Sequence, residues 1–413
     1  MPIAPHRAVE RALRIQREQW LDPVELERRQ WSRFKRLLDY AFEHSPFYAR
    51  KLRAAGVAPP DIRDRSDLGR LPVVTREELR RPESLVPRHL RPEAMQHSFS
   101  SGSTGESVKT YFDDEGWFVA KHLLKLRARW ACGVRPWDRV ALFTASSFSN
   151  GALRRRALRQ WSWSVHRPVG QLLPELRRFA PTVLYGFPSH FKELAEVWPP
   201  ELRPRIVFTS GEMLEDATRE RIEQGLGAPV HDVYGSTELK EIAWECRARD
   251  GYHVNGDWLL VETEEPAGTI LVSSLSNYGM PLIRYRLGDS GSFVDRRCRC
   301  GRSLPLMALG FCRSVDSFVL ADGGRVSPYT LINAVELLDE IRQFQIVQES
   351  TDRVAVIVVP RAEFGAASPQ RVRAAIGPHL PGVAIDVRVV ASIPREPGGK
   401  YRMALSRVER RRP

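Results

Sequence analysis

A chain of 413 residues is too long for one small hydrophobic core, and a 42% hydrophobic, 27% charged composition describes a globular protein of two or three domains. The formal charge of +13 comes almost wholly from arginine spread through every segment, with no basic stripe interleaved with stacking aromatics. That pattern argues against nucleic acid and for anionic ligands such as nucleotides. No apolar run reaches the roughly 18 to 20 residues that span a bilayer, and the start Met1-Pro2-Ile3-Ala4-Pro5-His6-Arg7 lacks a signal-peptide core, so a cytoplasmic location is expected.

Residues 1–95 read as a helical segment. Trp31, Phe34, Leu37, Leu38 and Ala41 form an apolar stripe at helical spacing, and Pro46, Pro59-Pro60, Pro72 and Pro82 cut the remainder into short helices. Glu78 follows Thr75 by three residues, the pattern of a capping box. From 96 to 312, short apolar runs such as Val140–Phe143, Thr182–Tyr185 and Arg205–Phe208 alternate with helical stretches, which predicts an α/β core with a largely parallel sheet. Later runs such as Gly268–Val272 read as antiparallel. The last hundred residues show an α-β-β-α-β order and predict a small α+β domain, giving units of 1–314 and 315–413 with the boundary near Ser314 to Asp316.

Ser98-Phe99-Ser100-Ser101-Gly102-Ser103-Thr104-Gly105-Glu106-Ser107 is the most unusual stretch. Small residues let backbone approach a phosphate, glycines permit positive φ and hydroxyls supply donors; a plain flexible loop has the same composition. Three further segments lie downstream: Tyr234-Gly235-Ser236-Thr237-Glu238, Tyr285-Arg286-Leu287-Gly288-Asp289 and Gly398-Gly399-Lys400.

In this order the four segments resemble the phosphate loop and the Y-G-x-T-E, Y-x-x-G-D and G-K motifs of the adenylate-forming superfamily. Leu38–Ala41, Ser45–Tyr48, Leu71–Thr75, Tyr185–Ser189 and Phe344–Gln348 are similar to the phenylacetate–CoA ligase family and its capsule-biosynthesis (CapK-like) relatives. The resemblance implies a large adenylation domain with a mobile C-terminal lid. It also implies ATP-dependent, Mg²⁺-assisted conversion of a carboxylic acid to an acyl-adenylate, followed by transfer to coenzyme A. Delivery to an amine or a carrier-protein thiol, and a nucleotide-binding protein without catalysis, are the alternatives.

By the same resemblance, Ser101, Gly102, Ser103, Thr104 and Gly105 would hold the β- and γ-phosphates, and Glu238 would bind Mg²⁺. Tyr234 would stack on adenine within the stretch Tyr234, Gly235, Ser236 and Thr237, and Gly211 and Glu212 would line that pocket. Asp289 would take the ribose hydroxyls, Arg313 at the hinge would contact the ribose, and Lys400 would bridge the carboxylate and the α-phosphate. Departures exist: Ser107 and Val108 stand in place of a proline and a basic or hydroxyl residue, shifting Lys109 by one, and Cys312 replaces the glycine before the hinge arginine.

Cys246, His253, Cys298 and Cys300 supply three thiolates and an imidazole, a full tetrahedral set for a structural Zn²⁺, with Gly301 bending the C-x-C turn. Ordinary buried cysteines are the other reading; a similar Cys…His plus Cys-x-Cys-Gly arrangement in some family members favours the metal. Trp161, Trp163 and His190 could line an acyl pocket or belong to the core.

Overall fold

The computed structural model describes residues 5–99, 108–145, 159–310 and 318–408. The N-terminal segment forms helices Pro5–Glu18, Pro23–His44 and Pro46–Ala54. Each opens on proline, whose missing N–H costs nothing in a first turn. Asp22 caps the second by accepting from the Val24 amide at 2.9 Å. Its stripe of Phe34, Leu37, Leu38 and Ala41 is fully buried against Ile242, Leu259, Ile270 and Tyr285. Beyond residue 54 the expected helices shrink to 3-10 segments such as Arg65–Arg70 and Pro82–Leu85. The Thr75 amide does donate to Glu78 at 2.9 Å, but the element that follows is only Glu78–Arg80. One buried residue, Leu79, cannot offset the cost of nucleating a longer helix before Pro82.

The central sheet has eleven strands. Gln160–Ser164, Val140–Thr144, Val183–Gly186, Ile206–Ser210 and Val230–Ser236 run parallel as expected. Lys240–Glu245, Tyr252–Val254, Leu306–Gly310, Tyr285–Val294, Thr269–Ser274 and Leu259–Glu264 continue the same sheet antiparallel. Helices Val169–Phe179, Pro188–Ala195 and Asp216–Leu226 cover one face of the parallel half, and Leu124–Ala131 covers the other. Trp163 and His190 belong to the first of these layers, against Phe143 and Phe191, and so are core. Trp161 remains 37% exposed.

The C-terminal domain wraps helices Pro328–Glu336 and Ser368–Ile376 over a four-stranded sheet. Ile341–Ser350, Arg353–Pro360 and Ala384–Val389 follow the expected order, and Ala404–Ser406 adds a strand that the sequence did not announce, parallel to Ile341–Ser350. The expected boundary at Ser314 to Asp316 lies outside the described residues. No described helix is long and apolar enough to cross a membrane.

One buried charge pair joins the N-terminal helices to the sheet. Arg127 and Asp257 are both fully buried; Arg127 Nη1 donates to Asp257 Oδ1 at 2.8 Å and to Asn255 Oδ1 at 3.0 Å, and Nη2 donates to Ile15 O at 2.7 Å. Truncating the arginine strands a carboxylate in the core. Arg127→Met is therefore expected to cost about 3–5 kcal/mol, read as a lower urea midpoint at an unchanged m-value.

Candidate active site

The carboxyl ends of the parallel strands form the site, as open α/β sheets dictate. Strand Ile206–Ser210 ends at Gly211, whose φ of +84° only glycine adopts without strain. Strand Val230–Ser236 carries Tyr234, Gly235 and Ser236 and turns through Thr237 and Glu238 into Lys240–Glu245. The turn is so tight that a Cβ on Gly235 would meet the Lys240 carbonyl oxygen at 2.2 Å.

The Tyr-Arg-Leu-Gly-Asp strand meets this turn. Leu271 pairs with Arg286 and Thr269 with Ser290, so a bulge occupies Leu287 to Asp289, with Gly288 at φ +85°. Such bulges re-aim side chains, and here Asp289 accepts from the Tyr234 hydroxyl at 2.9 Å. In return, the Tyr285 hydroxyl lies 3.5 Å from Glu238, a carboxylate only 6% exposed.

The phosphate-loop residues Ser101 to Gly105 lie outside the described residues, as does Arg313. The loop's flanks do not: Gln96–Phe99 and Lys109–Phe112 pair antiparallel, with Phe99 opposite Lys109. The loop therefore connects a hairpin. Its base is tied to the Glu238 turn, because Ser98 Oγ donates to Thr237 O at 3.1 Å and Lys240 Nζ donates to Ser98 Oγ at 2.7 Å. Lys109 itself rests 4.6 Å from the Tyr111 ring centre.

Lys400 comes from the C-terminal domain. Its Cε lies 3.6 Å from where a Gly211 Cβ would stand, and the preceding Gly399, at φ +80°, packs against Val165 and Ala145 where a Cβ would clash at 2.8 Å. Glu212 accepts from the Ser189 amide at 3.0 Å and from the Tyr401 amide at 2.5 Å. Burial pushes its carboxyl up, and Arg395 opposes that. Glu212 thus spends its acceptors holding the lysine loop against the large domain. Sequence reading missed Arg395 and Tyr401 as docking residues; both sit close to Gly398-Gly399-Lys400, which is their only signal.

Away from this site, the ligand atoms of Cys246, His253, Cys298 and Cys300 all lie within 4.8 Å of one another. Cys246 and Cys298 sulfurs are 3.5 Å apart, and Cys300 Sγ is 3.3 Å from His253 Nε2. A tetrahedral ion with bonds of about 2.0–2.3 Å needs edges of about 3.3–3.8 Å. Burial pushes the His253 imidazole down to about 4, so its ring is neutral and able to offer a lone pair. Gly301, at φ +80°, bends the C-x-C turn.

Known proteins resemble this chain in sequence and in fold. Residues 318–407 match the family model of the CapK C-terminal domain. The phenylacetate-coenzyme A ligase of Thermus thermophilus is 29% identical over 77% of each chain. That of Escherichia coli is 29% identical over 69% of this chain and 72% of its own. Over most of its length the chain is thus similar to phenylacetate-coenzyme A ligases. A 2-hydroxyisobutyryl-CoA ligase in its postadenylation state superposes with a TM-score of 0.78 at 24% identity, over 94% of this chain and 91% of that one. The same enzyme in its thioesterification state gives only 0.64 over equal lengths. The arrangement of the two domains is thus nearer to that of the former structure.

The interface that fixes this arrangement is charged. Lys192 pairs with Glu336 at 2.7 Å, and Glu215 faces the same Glu336. Burial first, then Glu336, raises the Glu215 carboxyl from 4.5 to about 7. A docked form that keeps a proton which the separated domains release loses stability as pH rises from 4.5 to 7, and no further above that. Energy transfer between dyes on the two domains is expected to fall across this window, and Glu215→Gln should flatten the profile.

Proposed function

We propose that the protein activates a carboxylic acid with ATP, forming an acyl-adenylate and pyrophosphate, and then passes the acyl group to coenzyme A. The observation that carries this reading is one convergence: Tyr234 on Asp289, Tyr285 beside Glu238, and Lys400 against Gly211. Ser210 pairs with Val233, so Gly211 and Tyr234 follow neighbouring strands at the same end of the sheet.

A carboxylate is a poor electrophile because oxide is a poor leaving group; the mixed anhydride with AMP supplies a better one. Asp289, an acceptor-only carboxylate, suits the two ribose hydroxyls, while its bond to Tyr234 orients the ring that would lie on adenine. Glu238, an oxygen donor nearly closed off from solvent, would hold Mg²⁺, which shields phosphate charge. Lys400 would place its ammonium between the attacking carboxylate and the α-phosphate, offsetting negative charge as the new P–O bond forms. Ser101 to Gly105 would cradle the leaving pyrophosphate.

Thiol attack then needs the lysine withdrawn and a channel opened, which moving the C-terminal domain about the segment holding Arg313 would do. Lys400→Ala is expected to lose roughly 2–4 kcal/mol of transition-state stabilisation in acid-dependent pyrophosphate exchange. Thioester formation from supplied acyl-adenylate should change far less. Equal losses in both half-reactions would remove the assigned role. Product formation that depends on coenzyme A separates this reading from delivery to an amine or carrier protein.

The four-residue cluster would hold a structural zinc. It would tie the end of strand Lys240–Glu245 to the turn after Tyr285–Val294, stiffening the two elements that carry Glu238 and Asp289. About one equivalent of zinc is expected in gently purified protein. A content below about a tenth of an equivalent rejects the site.

A further inference from the structure

The helical stretch after the phosphate-loop hairpin carries Lys121, Lys125 and Arg129 at intervals of four, a spacing that stacks side chains on one face. The last two turn toward Tyr185, near the carboxyl end of strand Val183–Gly186. The Lys125 ammonium lies 3.9 Å, and the Arg129 guanidinium 5.4 Å, from the ring centre. Lys240 reaches in from the Glu238 turn, donating to Thr237 O and Ser98 Oγ at 2.7 Å each. Lys121 stands close enough to oppose the charge of both other lysines.

Outside the nucleotide motifs, the carboxylate facing Lys125 and Arg129 is Glu241, which Tyr185 bonds and which lies 4.0 Å from Lys125, too far for a hydrogen bond. Among the described residues, Glu241 Oε2 and Arg129 Nε are buried without hydrogen-bond partners, and Arg129's contact to Gln160 is long at 3.4 Å. Lys125 keeps 30% of its side chain accessible. Burial, then like charge, lowers Lys125 and Lys240 only to about 8, so both are charged at neutral pH. Tyr185 bonds to Ser210, the residue before Gly211, so the cluster adjoins the place where Lys400 docks.

An apolar acyl tail here would leave a surplus of desolvated positive charge, which is costly. An anion would engage Arg129 Nε, a buried donor without a hydrogen-bond partner, and the neighbouring Lys125 ammonium in charge-assisted bonds. Resting on the adenylation reading above, we infer that the acid activated by this enzyme carries a second anionic group at its far end, received by Lys125 and Arg129. Lys121 and Lys240 strengthen the field, and Tyr185 sets the depth at which the group lies.

The test is pyrophosphate exchange by the full chain with matched acids that differ only in the distal group: butyrate against glutarate, and phenylacetate against 4-carboxyphenylacetate. The dianionic member of at least one pair is expected to show a kcat/KM at least about thirty-fold higher. Lys125→Met should abolish that preference through KM for the acid while leaving the neutral partner unchanged, and Lys125→Arg should restore part of it. Equal or better exchange with the neutral acids by the wild-type protein overturns this inference and leaves adenylation standing. A loss in Lys125→Met carried by KM for ATP places the cations on the nucleotide and also overturns it. No exchange with any acid overturns both readings.

Discussion

The structure depends on a reciprocal pair of tyrosine–carboxylate contacts. Tyr234 belongs to the strand that closes the parallel half of the sheet and Asp289 to a bulged strand of the antiparallel half; Tyr285 and Glu238 repeat the contact in the opposite sense. Neither contact has much worth as a single hydrogen bond. Their importance is geometric. They require the two halves of one eleven-stranded sheet to keep a fixed register, and the buried layers around Trp244, Tyr285 and Phe34 enforce that register. The Arg127–Asp257 pair and the cysteine–histidine cluster brace the same frame from outside the site.

Much of this was legible in the sequence because its signals are local. Strands such as Val183–Gly186 and Ile206–Ser210 are short apolar runs between turn residues, and Gly235, Gly288 and Gly399 stand where φ is positive or backbones crowd. The helices expected after residue 54 failed because proline spacing left too few buried positions to sustain more than one turn. Strand Ala404–Ser406 was invisible because three residues carry no period.

The residues least legible were those whose meaning is relational. Lys125, Arg129 and Lys240 belong to no motif; the fold sets two of them against the Tyr185 ring and ties the third to the base of the phosphate-loop hairpin. Glu212, expected to line a nucleotide pocket, also has oxygens that meet the amides of Ser189 and Tyr401 and so couples the strand ends to the neighbouring domain. Glu215 and Lys192 have no sequence signature at all; their charge acquires significance only where Glu336 arrives from the other domain.

Strand Ala404–Ser406 begins four residues after Lys400 and is hydrogen-bonded to the long strand Ile341–Ser350 at the centre of the small domain. The lysine is thereby anchored to a rigid body on one side and wedged by Gly399 on the other. It has no private hinge. Any movement of that ammonium would carry with it the domain of some ninety residues to which the strand belongs.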